Sequence, residues 1–150
     1  DKLKELLEGC KTLSSLRITV APKLSNEAVK LVSKHPHLFQ VDLSGCDGLT
    51  TIHPLFESNK MTHVTLRGKS LETLYTKEPL KEEKGSEKEQ LKLQHLDVSF
   101  NTKIAPQIYP IFRENVTPHL KRLVMVEVFM DDGKSVRELR EKRRGVEVVV

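Results

Sequence analysis

The chain contains no tryptophan, and its 150 residues include only five phenylalanines, two tyrosines and two cysteines. So few aromatic rings offer little platform for stacking the bases of single-stranded nucleic acid. Cys10 and Cys46 stand 36 positions apart, which fits neither a disulfide framework nor a zinc-ligand spacing. A reducing compartment, cytoplasmic or nuclear, is the expectation from that usage. No apolar run approaches the roughly 18 residues of a membrane span, and Asp1-Lys2-Leu3-Lys4-Glu5 lacks the composition of a signal peptide, so no membrane partner is expected. A dominant charge is missing too. The 25 Lys and Arg face 21 Asp and Glu, and the net +4 is too small and too evenly mixed to attract nucleic acid over the whole surface.

The signatures of catalysis are also lacking. Gly68-Lys69-Ser70 and Gly133-Lys134-Ser135 have the ending of a phosphate loop, but the glycine such a loop needs five positions earlier is replaced by His63 and Val128. Neither G-x-G-x-x-G nor H-E-x-x-H occurs. The sequence therefore predicts no enzyme, no cofactor and no resident metal. Asn115-Val116-Thr117 matches a glycosylation sequon, but Pro118 follows it and the match reads as coincidence.

What is present is self-similarity. Leu13-x-x-Leu16-x-Ile18, Leu38-x-x-Val41-x-Leu43, Met61-x-x-Val64-x-Leu66, Leu93-x-x-Leu96-x-Val98 and Leu120-x-x-Leu123-x-Met125 repeat one pattern, L-x-x-L-x-L. They begin 25, 23, 32 and 27 residues apart. A weaker sixth segment ends the chain, with Val146 and Val148 assigned to its fourth and sixth places. Each segment predicts a short strand whose fourth and sixth residues point inward while those between them point out. One such strand cannot close a core, so the segments are expected to stack as a parallel sheet.

The stretches between them read as helical or irregular returns. Leu24 to Pro36 places apolar residues at 28, 29, 31 and 32, with Ser25 or Asn26 available as N-cap and Pro36 as a stop. Segments 105–115 and 135–143 are also expected to be helical, and Leu3 to Leu7 reads as the tail of a helix ending at Gly9. The chain so begins in the middle of a unit, as a fragment or an array with something before it. Residues 77–90 contain almost no apolar side chain and are expected to form a mobile charged insertion.

Leu38-Phe-Gln-Val-Asp-Leu-Ser-Gly-Cys46-Asp-Gly-Leu49-Thr50 resembles the cysteine-containing leucine-rich repeat, L-x-x-L-x-L-x-x-C-x-x-L-T, and Leu93 to Asn101 resembles the more general form with asparagine at the ninth place. In the other segments that place is held by Ala21, Lys69 and Val128. The resemblance implies an α/β leucine-rich-repeat solenoid, a horseshoe with a parallel concave sheet and helical or irregular convex returns, in which residues 1–150 form a single domain of five to six repeats. It also points to the F-box/leucine-rich-repeat proteins, substrate receptors of cullin-type ubiquitin ligases, whose ligase subunits would engage regions outside this chain. Cys46 and Asn101 are expected to be structural, packed or hydrogen-bonded at the turn after the strand, and Cys10 to be half-buried.

Function is then expected on the outward strand positions. The third places hold Ser15, Gln40, His63, His95 and Arg122; the fifth hold Arg17, Asp42, Thr65, Asp97 and Val124; the seventh hold Thr19, Ser44, Arg67, Ser99 and Val126. Arg17, Gln40, Asp42, His63, Thr65, Arg67, His95, Asp97 and Arg122 are the candidate partner-binding residues, with Asp42 and Asp97 expected to face solvent in one column. His63 and His95 should be lateral neighbours and are read as contact residues. A polar face of mixed charge suits a protein or peptide partner. The alternatives are a nuclear or RNA-associated adaptor that uses the C-terminal cluster Arg137, Arg140, Lys142, Arg143 and Arg144, and a structural segment bridging other domains. That cluster is interrupted by Glu138 and Glu141 and reads first as the solvated face of a terminal helix.

Overall fold

A computed structural model describes residues 2–75 and 90–150. Six three-residue strands run through it: β1 (Ser15–Arg17), β2 (Gln40–Asp42), β3 (His63–Thr65), β4 (His95–Asp97), β5 (Arg122–Val124) and β6 (Glu147–Val149). All pair in parallel, in the order of the sequence. Five helices lie between or before them: α1 (Lys2–Gly9), α2 (Asn26–Lys34), α3 (His53–Glu57), α4 (Ala105–Ile111), which a 3-10 turn at Thr102–Ile104 introduces, and α5 (Lys134–Lys142).

The register aligns the fourth residue of every segment across the sheet, Leu16–Val41–Val64–Leu96–Leu123–Val148, and all six are buried. Leu43, Leu66, Val98 and Met125, at the sixth place, form a second buried row. Against these rows pack Val29 and Val32 of α2, Leu55 and Phe56 of α3, Ile108 and Ile111 of α4, and Val136 and Leu139 of α5, in one continuous apolar cluster. Leu13 and Ile18 of the first segment are only half-buried.

Three residues make a strand here because the backbone ladder continues past them. The amides of Ile18, Leu43, Leu66, Val98 and Met125 donate to the carbonyls of Asp42, Thr65, Asp97, Val124 and Val149 in the following segment, at 2.8–3.0 Å. Two residues further on, Val20, Gly45, Gly68 and Phe100 donate to Ser44, Arg67, Ser99 and Val126. The eighth residue then turns sharply. Val20, Gly45, Phe100 and Glu127 all hold a left-handed backbone with φ between 54° and 70°. For the three that are not glycine this costs on the order of 1–2 kcal/mol each, which the cross-strand bonds and core offset. Gly48 is needed for space instead: a Cβ there would lie 2.4 Å from the Leu24 carbonyl oxygen.

The returns differ in part from the sequence reading. α2 falls inside Leu24 to Pro36, but Ser25 makes no side-chain cap, and Asn26 reaches across to Thr50 and Thr51. α4 stops at Ile111 rather than 115, with Pro106 in its first turn and Pro110 inside it. α3 was not expected; five residues are too few to show a helical period, and Pro54 in its first turn is its one local signal. Cys10, expected to be half-buried, is exposed. The sixth segment lies two residues from its expected register: Val148 pairs with Leu123 and so holds the fourth place, and Val150, 53% exposed, holds the sixth. A shift of two preserves which side chains face inward, so Val146 and Val148 are buried all the same. The expected insertion at 77–90 lies, apart from Gln90, outside the described residues.

Leu96 is fully buried in a central strand. Leu96→Ala should lower the unfolding free energy by about 2–5 kcal/mol in urea titration, and a change of under about 0.5 kcal/mol would contradict this register.

Candidate functional site: the polar face of the sheet

The side chains opposite the core stand in two columns set by the pairing. One runs Ser15–Gln40–His63–His95–Arg122–Glu147 and the other Arg17–Asp42–Thr65–Asp97–Val124–Val149. Neighbours within a column are about 4.8 Å apart. The nine candidate residues therefore come together on one face, with Arg67 joining from just beyond β3. Arg17, Gln40, Arg67 and Arg122 are exposed, while Asp42, His63, Thr65 and His95 are half-buried.

Asp97 is the correction. Expected to face solvent, it is 1% exposed. Its Oδ1 accepts the Ser99 amide at 3.1 Å and the Ser99 hydroxyl at 2.8 Å, and its Oδ2 accepts Arg67 Nε at 2.6 Å. The Ser99 oxygen in turn accepts the Val126 amide at 3.1 Å. Asp42 does the same with Ser44, whose oxygen accepts the Arg67 amide, and its Oδ2 lies 3.2 Å from Arg17 Nε. The carboxylate orients the serine, and the serine holds the next segment's backbone. Asp97 is thus a structural residue under Arg67 rather than a free contact. The twice-repeated Asp-x-Ser spacing, Asp42-x-Ser44 and Asp97-x-Ser99, is the sequence signal of this device.

Three arginines line the face, each set against a carboxylate of the following segment: Arg17 on Asp42, Arg67 on Asp97 and Arg122 on Glu147, the last at 3.2 Å. Between them the His63 and His95 rings stack, with centroids 5.8 Å apart and planes 16° from parallel. Thr62 donates its hydroxyl proton to the Phe39 carbonyl, so His63 Nδ1, 3.0 Å from the Thr62 hydroxyl oxygen, is the donor to that oxygen. Burial lowers the His95 pKa from its ordinary value; His63, Arg122 and Arg67 lower it further, and Asp97 opposes them.

The ninth places are structural. Cys46 Sγ donates to the Ile18 carbonyl at 3.4 Å, and Asn101 Nδ2 donates to the Leu66 carbonyl at 2.9 Å, in each case the sixth residue of the segment before. Asn101 also accepts the Leu71 amide at 3.1 Å. The basic cluster near the C-terminus is partly committed as well. Arg140 donates to the Val148 carbonyl at 2.8 Å, and Arg143 donates to the Phe112 carbonyl and to the hydroxyl and carbonyl of buried Thr117. Among the described residues, no three His, Cys, Asp or Glu side chains are grouped to hold a metal ion, and no helix is long and apolar enough to cross a membrane.

The two aspartates should separate in stability. Removing a buried acceptor strands its donors, so Asp97→Ala should cost about 2–3 kcal/mol and the more exposed Asp42→Ala about 1 kcal/mol. Denaturant titration of the two variants checks the order, and equal losses would contradict the burial difference.

Set against known proteins, the chain matches no protein-family model and no curated protein.

Proposed function

We propose that the chain is a leucine-rich-repeat solenoid acting as a protein-interaction module, its polar sheet face gripping a protein or peptide. The observation that carries this reading is the register, which brings Arg17, Gln40, His63, His95 and Arg122 from five segments far apart in sequence onto one accessible face. Such a face, with its side chains held by neighbours on both sides, presents contacts at little ordering cost. Substrate recognition for a cullin-type ubiquitin ligase is the specific form of the proposal, and it rests on the resemblance of residues 38–50. Both cysteines are free thiols, which suits a cytoplasmic or nuclear setting. Commitment of Arg140 and Arg143 to backbone acceptors favours a protein over RNA, because those guanidiniums are held against the fold.

A photoreactive benzophenone side chain placed at Gln40 or Arg122 should crosslink to protein partners in cells, while the same group at Lys30 of α2 or Arg137 of α5 should not. Adducts confined to the helix positions, or consisting of RNA, would overturn this reading.

A further inference from the structure

We infer that the stacked His63 and His95 rings, flanked by Arg67 and Arg122, form the centre of a recognition site for an acidic peptide segment. This deepens the proposed function and rests on it, since it names the chemistry of the partner on the same face.

The first ground is an imbalance of hydrogen-bonding groups. A guanidinium has five N–H donors, and Arg67 gives Nε to Asp97. The Asp97 carboxylate accepts two bonds from Ser99 and one from Arg67 and is closed to solvent. Arg67 and Arg122, by contrast, keep 58% and 47% of their side chains exposed. A partner approaching β3–β5 therefore meets donors whose intramolecular acceptors are already in use. Carboxylates are the groups that match arginine's planar fork.

The second ground is the imidazole pair. Two near-parallel imidazole rings with centroids 5.8 Å apart are tolerated when both are neutral and repel when both are protonated. The groups around them are Gln40 and Asp42 on β2, Thr65 and Arg67 with β3, Asp97 on β4, Arg122 on β5 and Glu147 on β6 beside Arg122. Asp42 is occupied by Ser44 and Arg17, and Glu147 faces Arg122 at the sheet edge. Asp97 is the carboxylate that acts on His95, and its charge is offset by the Arg67 guanidinium it holds, so the pair lacks a counter-charge of its own. The burial of His95 and the cations beside it keep that ring neutral near pH 7. A glutamate or aspartate laid across the pair would supply the missing counter-charge and make protonation favourable.

The sign follows by linkage. An anionic ligand raises the imidazole pKa, so the complex binds more protons than its free parts, and affinity must rise as pH falls toward the pKa of the free histidine. Each unit by which binding raises one imidazole pKa is worth up to about tenfold in affinity.

The test uses fluorescein-labelled hexaglutamate, with hexaglutamine, hexalysine and an oligouridylate of equal charge as comparators, read by fluorescence anisotropy at about pH 6 and about pH 8. Hexaglutamate should bind more tightly than any comparator and about three- to tenfold more tightly at the lower pH. His63→Gln with His95→Gln should remove the pH dependence, and Arg67→Gln should weaken binding at both pH values. Calorimetry of the wild-type chain in two buffers of different ionisation enthalpy gives the same answer without a variant: net proton uptake is expected. Equal affinity for hexaglutamine, tighter binding of the oligouridylate, or binding without proton uptake would overturn the inference. If hexaglutamate fails while benzophenone at Gln40 and Arg122 still captures protein, the acidic partner is wrong and the face stands. If hexaglutamate instead shifts NMR resonances of α2 or α5 alone, the face itself is wrong.

Discussion

The sixth residue of each L-x-x-L-x-L segment carries an amide that finds its acceptor only in the segment that follows. Everything else in the fold depends on that arrangement. A three-residue strand can satisfy neither its backbone nor its apolar side chain by itself, so stability is shared between neighbours and the ends are the weak points. In the β1 segment Leu13 and Ile18 are half-buried, where the first and sixth places of the next four segments are buried. At β6, where no further strand follows among the described residues, Arg140 from α5 donates to the Val148 carbonyl, and a guanidinium stands where a backbone amide would otherwise be.

Side chains reinforce the ladder at recurring places. Cys46 and Asn101 bond the same carbonyl position, though a thiol is a weak donor and an amide can both donate and accept, which lets Asn101 hold the Leu71 backbone too. Asp42–Ser44 and Asp97–Ser99 tie each fifth place to the backbone of the next segment. Because these bonds lie on the polar face, they tie its side chains to the ladder. Arg17 and Arg67 are aimed by a half-buried and a buried carboxylate rather than left to rotate freely, which is the condition under which charged contacts give selectivity.

The strands, their parallel order and the membership of the polar face were legible in the sequence, because burial of the fourth and sixth residues leaves a pattern no other constraint erases. The histidine neighbours followed from the same register. Less could be read where the determinant was a contact between distant residues. Asn26 holds Thr50 and Gln107 holds Leu74, 24 and 33 residues away, and neither amide differs locally from a solvated one. The left-handed turns at Val20, Phe100 and Glu127 run against residue preference, since the ladder imposes them. The burial of Asp97 depends on Arg67 closing over it, whereas Asp42, in the same column, stays partly open beneath a more exposed Arg17.

The proposed binding role rests on how rigidly this face is held, and the amide protons of Leu43, Leu66 and Val98 report on that directly. Native-state hydrogen exchange followed by NMR should find all three exchanging only through global unfolding, with equal free energies of opening. Exchange of Leu66 or Val98 on the timescale of surface loops, while the rest of the sheet stays protected, would contradict a continuous ladder beneath the polar face.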